Sequence, residues 1–495
     1  MKTCNLLVVS DLHLCEGFNA KTGKFSRMED FLFDDAFGRM LRYHESVRQQ
    51  PRFGGRPWLL ILNGDIFDFL QVVSLPDEGL MLRLVKGVEQ HCDLPPQEQA
   101  YGLGITPIES EWKMKQIARG HQNFFAALGW FIAHGNHVAM IKGNHDIELH
   151  WSIVRERFLV EVERSYVRQR LARGWEEPLD FETITDSFHF YPWFYYEPGV
   201  VYIEHGGQYE SSSHFPNFLQ PVDPDHSDWI WMPWGSLFVR YLFNEVEDVH
   251  PFADNVKPPV RYFVWAFRQA PLMTIKLLIT RGWVFVRAFW NIGRKTIAYA
   301  CAPREDDVRR QFEDESLPCW VAQRIAQLAR QRTTRSTLEF LGTVVQGIPV
   351  LLALVLLIVL GVTIFNARWG WAFVCMFGLA GVYLLHRVLK GQFSDVLDDY
   401  MLRVGRDIER ILGDEYAVRY IVFGHDHKAD VERLNHSWYV NTGTWVQIYE
   451  KDGPIEGREK LTFFRLVRGE LGSPALLRWD DGAGEPTRLV LGLLD

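Results

Sequence analysis

Seven side chains of the kinds that bind metal ions stand in five short motifs along this sequence. They are Asp11, His13, Asp65, Asn144, His205, His425 and His427. Carboxylate, imidazole and carboxamide groups without a thiolate suit divalent ions such as Mn, Fe, Co or Zn better than Ca or a cysteine-rich structural zinc. Seven candidate ligands are too many for one open catalytic ion and suit two ions about 3.5–4 Å apart that share a bridging carboxylate. The residues therefore predict a site for a pair of divalent metal ions.

Each motif directly follows a short apolar run that predicts a buried β-strand. The runs are residues 6–9, 59–62, 138–141, 200–203 and 420–423. Polar residues just past the carboxyl ends of such strands are where open α/β sheets place their ligands. A further GNH sequence at residues 135–137 precedes its strand instead of following it, so we expect His137 to lie at the opposite end of the sheet. The five motifs therefore predict one site that is built from five strand ends.

The order of the motifs resembles the signature of the calcineurin-like metallophosphoesterases, which is DxH, GDxxD, GNHD, HG and GHxH. The resemblance covers residues 1–210 and roughly 395–450, and Asp68 completes its GDxxD motif. It implies that the first metal is held by Asp11, His13, Asp65 and His427. It implies that the second metal is held by Asp65, which bridges the pair, and by Asn144, His205 and His425. His145 then corresponds to the catalytic histidine of the family, oriented by Asp146.

The resemblance also implies a reaction, which is hydrolysis of a phosphate ester or pyrophosphate. Two cations stabilise a bridging hydroxide near neutral pH, and this hydroxide attacks phosphorus in line with the leaving group. The cations neutralise the equatorial phosphoryl oxygens, and His145 stabilises the transition state or protonates the leaving oxygen. We expect two divalent ions, with Mn favoured and Fe or Zn as the alternatives. We find no nucleophile motif that would require a covalent intermediate.

A transmembrane helical hairpin is predicted between the fourth and fifth motifs. Residues 341–365 carry no charged side chain, which matches the roughly 20 apolar residues of a membrane span, and residues 369–385 form a second, shorter uncharged stretch. Arginines lie outside both stretches, and only Arg368 lies in the turn between them, so the positive-inside rule places both flanks in the cytoplasm. Two spans also keep all five motifs on one side of the membrane. The alternative is a pair of buried core helices.

Upstream of the hairpin, basic and aromatic residues alternate in a segment without acidic residues, between Asp254 and Glu305. This composition favours amphipathic helices on the surface of an anionic membrane. Packed helices that use arginine stems as apolar cover, or a nucleic-acid surface, are the alternatives. The formal net charge of −9 argues against nucleic-acid binding by a broad basic surface. The six cysteines show no paired spacing, which favours a reducing compartment, and the first strand begins too early for a cleavable signal peptide.

We therefore expect an α/β fold, the four-layer α/β/β/α sandwich of the resembled superfamily, interrupted by a helical insertion. Its parts are the first section of the core (1–210), an insertion with an aromatic loop and basic membrane-surface helices (211–335), the two-span hairpin (336–392) and the final section of the core (393–495). We expect an inner-membrane protein whose termini and catalytic core are cytoplasmic. Its oligomeric state is not indicated.

The expected substrate is a phosphorylated membrane lipid, and no nucleic-acid partner is expected. The UDP-2,3-diacylglucosamine pyrophosphatases of lipid A synthesis are a functional analogue within the superfamily, although they typically have Arg where this sequence has His145. The alternative is a membrane-anchored phosphoesterase that acts on a soluble nucleotide, phosphodiester or phosphoprotein. A non-catalytic membrane scaffold would require loss of metal binding, yet every expected ligand is present.

Overall fold

Two β-sheets form the centre of the protein in the computed structural model. The structure describes residues 3–76, 79–85, 88–210, 213–223, 225–244, 317–329, 356, 360, 374–384, 400–446, 461–470 and 472–489. The first sheet has the strand order β18-β17-β16-β1-β4-β7-β8, and the second has the order β14-β15-β13-β10-β9. Three two-stranded sheets, β2-β3, β5-β6 and β11-β12, lie outside these two.

The strands are β1 (Asn5–Val9), β2 (Phe18–Asn19), β3 (Lys24–Phe25), β4 (Trp58–Asn63), β5 (Leu80–Val85), β6 (Val88–Asp93), β7 (His137–Ile141), β8 (Phe188–Tyr191), β9 (Phe194–Glu197), β10 (Val201–Glu204), β11 (Val222–Asp223), β12 (His226–Ile230), β13 (Tyr420–Phe423), β14 (Asp430–Arg433), β15 (Trp438–Asn441), β16 (Thr462–Leu466), β17 (Ala475–Asp480) and β18 (Glu485–Arg488). The helices are α1 (Asp34–Val47), α2 (Pro96–Tyr101), α3 (Pro107–Gly120), α4 (Gln122–Ala133), α5 (Ser152–Arg173), α6 (Phe181–Ser187) and α7 (Trp234–Phe238). A further helix spans Tyr400–Leu412, and residues 319–329 and 374–384 are also helical.

Side chains that alternate along the strands create the layers of the fold. In β1, Leu6 and Val8 pack between the two sheets, where they share a core with residues of β10 such as Ile203. Leu7 and Val9 point to the other face of the first sheet and pack with helices α1, α3, α4 and α5. This alternation follows from the two-residue period of a strand, and a sheet that is buried on both faces has no polar side.

The second sheet is covered in the same way on its outer face. Tyr202 and Phe423 pack there with Val404 and Ile408 of the helix Tyr400–Leu412. Helical residues 319–329 join the same core through side chains such as Val321. The order of layers is helix, sheet, sheet, helix, so the predicted α/β fold is confirmed, and its layers are those expected of the sandwich.

All five predicted strands that lead into motifs are present. They are β1, β4 and β7, which are neighbours and parallel in the first sheet, and β10 and β13, which are neighbours and parallel in the second. His137 begins β7, so the extra GNH sequence lies at the opposite end of that strand from Asn144, as predicted. The Asn136 side chain there accepts a hydrogen bond from the backbone N–H of Trp58 at 2.9 Å, which is a structural role.

The predicted hairpin lies largely outside the described residues, which include only 356, 360 and 374–384 of it. The basic aromatic segment between Asp254 and Glu305 lies wholly outside them. Of the helices in the described part of the chain, none combines the length and the apolarity needed to cross a membrane.

Candidate metal centre

The backbone is left-handed at five of the predicted ligands. The φ angles are 55° at Asp11, 52° at His13, 51° at Asp65, 74° at His425 and 60° at His427. Leu461 is the one other non-glycine residue with positive φ among those that the structure describes. Such conformations cost of order 1–3 kcal/mol each and persist where the surroundings impose them, most often at functional sites. The strain is therefore concentrated at the ends of the site strands.

Hydrogen bonds between the loops after β1 and β4 impose this geometry. The backbone N–H groups of Leu12 and His13 both donate to the carbonyl oxygen of Asp65, at 2.9 Å and 3.0 Å. The N–H of Asp11 donates to the carbonyl oxygen of Gly64 at 3.1 Å. Backbone hydrogen bonds therefore fix the two loops to each other.

Asp11, His13 and His427 form the first group of converging ligand atoms. The Nε2 atom of His427 lies 3.3 Å from Oδ1 of Asp11 and 3.2 Å from Nε2 of His13. Asp11 is fully buried, and its carboxylate also accepts from the backbone N–H of His425. Burial alone would raise the pKa of Asp11, but the hydrogen bond and charge of His427 lower it to about 2. One anionic oxygen and two imidazole nitrogens thus face a common point.

Asp65, His205 and His425 form the second group, and Asn144 adjoins it. The Nε2 atom of His205 lies 3.0 Å from Oδ2 of Asp65 and 3.2 Å from Oδ1 of Asn144. The other ring nitrogen, Nδ1, lies 3.0 Å from the carbonyl oxygen of Asn63, which leaves Nε2 directed at the site. Burial would lower the pKa of His205, but the charge of Asp65 raises it to about 9.

Two glycines allow these strand ends to approach each other. A Cβ atom at Gly143 would collide with the carboxylate and backbone of Asp65, and one at Gly424 would lie 2.6 Å from Oδ2 of Asp11. Real Cβ contacts are not that short, so these positions require glycine. The glycines of the GNHD and GHDH motifs thus bring the third and fifth loops against the carboxylates of the first two.

The donor atoms fit a pair of divalent cations. Asp11, Asp65 and Asp68 are buried carboxylates, and burying such charges is unfavourable unless cationic groups or metals compensate them. The ligand atoms within each group lie within 4.8 Å of one another. The oxygen and imidazole nitrogen donors are those of borderline divalent ions.

The expectation that Asp146 orients His145 is wrong. The Nδ1 atom of His145 lies 2.6 Å from Oδ2 of Asp68. Asp146 is fully buried and accepts from the backbone N–H groups of Gly143 and Ile66 instead. Its side chain is occupied in joining the GNHD loop to the GDxxD loop, and burial, with the charge of Asp65, raises its pKa to about 6. Asp68 is therefore the positioning residue of the imidazole.

Glu210 is a further neighbour of the centre, and no motif in the sequence indicates it. Its Oε2 atom lies 2.7 Å from Nε2 of His425. A carboxylate on one ring nitrogen of a metal-binding histidine fixes the tautomer and orientation of the ring. Asp68 could have been found from its GDxxD motif, whereas Glu210 stands five residues after His205 in no motif.

The fold and the site together define a metal-dependent hydrolase of the α/β sandwich class. A sequence profile described as calcineurin-like phosphoesterase matches residues 4–275, which is more than half of the chain. The chain therefore belongs to the calcineurin-like phosphoesterase family, whose members typically bind two divalent metals and hydrolyse phosphoesters. No curated protein and no solved structure matches it. The profile match ends before the fifth motif, but the structure places His425 and His427 with the other ligands.

Proposed function

We propose that the protein is a dinuclear phosphoesterase in which Asp65 is shared by both metal ions. The observation that carries this proposal is that Asp65 belongs to the second group of donors and also interacts electrostatically with Asp11 and His13 of the first group. One carboxylate oxygen lies 3.0 Å from His205 and the other accepts from the backbone N–H of His145 at 2.8 Å. We assign Asp11, His13 and His427 to the first ion, and Asn144, His205 and His425 to the second.

The metal-binding residues and His145 divide the chemistry between them. When bound, two divalent ions would lower the pKa of a water molecule and neutralise charge on the phosphoryl group. The imidazole of His145, whose side chain is 18% exposed, is reachable from solvent at the edge of the centre. Asp68 accepts from Nδ1 and stabilises the imidazolium, so Nε2 can donate a proton to the departing oxygen. We propose Mn²⁺ as the ion, with Fe or Zn as alternatives, on the basis of the mixed oxygen and imidazole donors.

We further propose that the substrate is a phosphorylated lipid and that the hairpin holds the enzyme on the membrane. Helical residues 374–384 support this, because they are uncharged and Phe377 and Leu384 are 78% and 61% exposed. A Cβ atom at Gly378 would lie 3.1 Å from the side chain of Leu356. The two positions are equally distant along the chain from residue 367 in the predicted turn, as expected for an antiparallel helical pair.

A soluble phosphoester is the second candidate, with the hairpin as an anchor alone. The residue at position 145 supports this second candidate, because it is His in this chain whereas the analogous lipid A pyrophosphatases typically have Arg there. Hydrolysis of a soluble diester that is indifferent to detergent and lipid, and that survives excision of residues 336–392, would support this candidate.

The test compares wild type with Asp65→Ala and His145→Ala in bound metal and in turnover. The substrates are bis(p-nitrophenyl) phosphate and UDP-2,3-diacylglucosamine in mixed micelles with Mn²⁺. Asp65→Ala should abolish both turnover and the binding of a second ion, because both ions lose a ligand. His145→Ala should lower kcat by about 10²-fold or more with near-normal metal content.

The exposed Asp186 of α6 offers a matched control, since Asp186→Ala should change neither metal content nor turnover. Retention of both ions and full activity by Asp65→Ala would contradict the dinuclear assignment. Release of UMP by wild type would establish a lipid-linked pyrophosphatase. Turnover of the soluble diester alone would move the substrate to the second candidate.

A further inference from the structure

A β-ribbon with two exposed phenylalanines follows the first metal motif. We define it as residues 18–25, which comprise β2, β3 and the turn between them. Phe18 lies directly opposite Phe25 in the antiparallel pair, so their side chains leave the same face. The rings contact edge to face with centroids 5.4 Å apart, and the two residues are 43% and 46% exposed. The β-ribbon therefore presents an aromatic pair to solvent.

The base of the β-ribbon is fixed close to the candidate metal centre. The Glu29 carboxylate accepts from the backbone N–H of Gly17 at 2.6 Å, and a Cβ atom at Gly17 would lie 2.5 Å from the backbone of Gly120 at the end of α3. Phe18 stands five residues after His13, and five residues of extended chain span at most about 18 Å. A surface that the β-ribbon contacts is therefore brought near the metal ligands.

Cations accompany the phenylalanines, and acidic residues are absent from this stretch of the sequence. Residues 17–28 contain Lys21, Lys24 and Arg27 but no Asp or Glu, although the whole chain has a formal net charge of −9. Both lysines are exposed. Aromatic rings at the level of the lipid headgroups and basic side chains near anionic phosphates are features of protein surfaces that contact membranes. The composition of the β-ribbon therefore complements an anionic bilayer.

The place of the β-ribbon in the fold is a second, independent observation. A cross-strand aromatic pair stabilises a two-stranded sheet in any surroundings, so the pair alone does not identify a partner. The Arg27 guanidinium donates to the carbonyl oxygen of Asn244 at 3.5 Å, and the Asn244 side chain donates to the carbonyl oxygen of Leu70 at 2.9 Å. Asn244 is the last described residue before residues 245–316, which contain the basic aromatic segment predicted to lie on a membrane surface. The β-ribbon thus adjoins the point at which the chain enters that segment.

We propose that the β-ribbon is a membrane-contacting element, in which the rings of Phe18 and Phe25 enter the headgroup region of an anionic phospholipid bilayer and its two lysines bind lipid phosphates. The inference rests on the proposed function for the attachment of the protein to a membrane. It adds which side of the catalytic core faces the bilayer, namely the side of the loop after β1 that carries Asp11 and His13. A lipid phosphate in the headgroup region is then brought toward the metal centre.

The test measures contact with lipid, so it does not depend on turnover. The full chain carries the photoreactive substitution Phe25→p-benzoylphenylalanine and is reconstituted in vesicles of phosphatidylethanolamine and tritium-labelled phosphatidylglycerol. On illumination the benzophenone inserts into nearby C–H bonds, so the tritium that remains on the denatured protein reports contact with the lipid. The same substitution at Phe181 of α6, which is 37% exposed, is the matched control. Position 25 should take up several times more tritium than position 181.

A pair of charge reversals tests the lysines. Lys21→Glu combined with Lys24→Glu should lower the labelling at position 25 by about tenfold or more, because an anionic surface attracts ammonium groups and repels carboxylates. Replacing the phosphatidylglycerol by labelled phosphatidylcholine should lower it as well. Arg164→Glu combined with Arg168→Glu, at two exposed positions of α5, changes the net charge equally and should leave the labelling unchanged.

Equal labelling at positions 25 and 181 in a chain that floats with the vesicles would overturn the membrane contact and leave the transmembrane hairpin as the attachment. A chain that neither floats nor takes up tritium would overturn both. Labelling that survives the lysine substitutions would overturn the anionic surface as the partner. A cross-linked dimer in place of lipid adducts would overturn the proposal by assigning the β-ribbon to an interface between copies of the chain. Tritium uptake together with absent hydrolysis of bis(p-nitrophenyl) phosphate would contradict the proposed function and leave the membrane contact standing.

Discussion

Two carboxylates, Asp68 and Asp146, stand near His145 in the sequence motifs, but they contact different groups in the structure. The Asp68 carboxylate contacts Nδ1 of the His145 imidazole, whereas the Asp146 carboxylate accepts hydrogen bonds from the backbone of two loops. The proton transfer proposed for His145 requires a fixed ring and a fixed tautomer, and Asp68 favours both from a fully buried position. The hydrogen bonds and charges of His145 and His13 lower the pKa of Asp68 strongly despite its burial.

Asp68→Asn should therefore lower kcat by about 10²-fold or more while both metal ions stay bound, because the amide no longer stabilises the imidazolium. Asp146→Asn keeps one acceptor for the loop backbone, so it should lower turnover less than about tenfold and cost about 1–2 kcal/mol of unfolding free energy. Steady-state kinetics, metal analysis and urea unfolding on the two variants give these numbers. The reverse ranking of the kinetic effects would restore Asp146 as the positioning residue.

At the scale of single residues, the sequence predicts the metal ligands better than it predicts the residues that orient those ligands. The seven predicted ligands stand in motifs because a metal constrains both residue type and spacing. Orienting residues such as Glu210 have no fixed spacing in the sequence, because any chain segment that passes close to a ring nitrogen can supply a carboxylate. The same reason applies to Asp146: adjacency in the sequence predicts that it orients His145, but its buried carboxylate accepts from backbone N–H groups instead.

The loop after β1 depends on an ion-paired histidine that takes no part in the site. His121 lies at the junction of α3 and α4, fully buried, with ring nitrogens 3.0 Å from Glu29 and 3.0 Å from Asp34. Glu29 in turn accepts from the backbone N–H groups of Cys15 and Gly17, just past the first metal motif. One histidine thus connects two helices to the segment that carries Asp11 and His13.

The stability of this connection should depend on pH. Burial would lower the pKa of His121, but the charges of Glu29 and Asp34 raise it from 6.5 to about 10. Because the folded state binds the proton more tightly, the stabilisation is fully present below pH 6.5 and is lost as pH rises to about 10.

Urea unfolding should therefore show that wild type loses stability between pH 6.5 and 10 relative to His121→Gln. At pH 6 the variant should be less stable by about 3 kcal/mol, since it leaves buried carboxylates without their cation. The exposed His436 supplies a control, and His436→Gln should follow wild type at every pH. Parallel pH curves for wild type and His121→Gln would show that the ring is neutral in the folded protein.

At the scale of elements, strand existence was predictable and strand order was not. Runs of apolar residues that end in Gly, Asn or Asp identify β1, β4, β7, β10 and β13 because a strand buried on both faces must be apolar throughout. The order in each sheet depends on contacts between distant segments. The pairing of β1 with both β4 and β16, for example, joins residues near the two ends of the chain.

At the scale of the whole molecule, the fifth motif is far from the other four in sequence but lies beside them in space. β13 lies between β10 and β15, parallel to both, so His425 and His427 emerge at the same edge as His205. Helical residues 319–329 and the helix Tyr400–Leu412 share one core on the second sheet. The chain therefore leaves and re-enters the same layer of the fold around the segment that contains the proposed hairpin.

That geometry predicts that the hairpin can be removed without dismantling the enzyme. The full chain should float with vesicles of phosphatidylethanolamine and phosphatidylglycerol and resist release by high salt, because residues 341–365 are uncharged over more than the roughly 20 residues that a span requires. A variant in which a Gly-Ser linker replaces residues 336–392 should not float with the vesicles. It should nevertheless bind the same number of Mn²⁺ ions and hydrolyse bis(p-nitrophenyl) phosphate at a rate within about threefold of the full chain. The reason is that every predicted ligand lies outside the deleted segment. Its activity on a lipid substrate in vesicles should fall much further, because the core no longer meets the membrane in which the substrate lies. Equal flotation of the two chains would refute the hairpin as the attachment, and equal activity on lipid would favour a soluble phosphoester as the substrate.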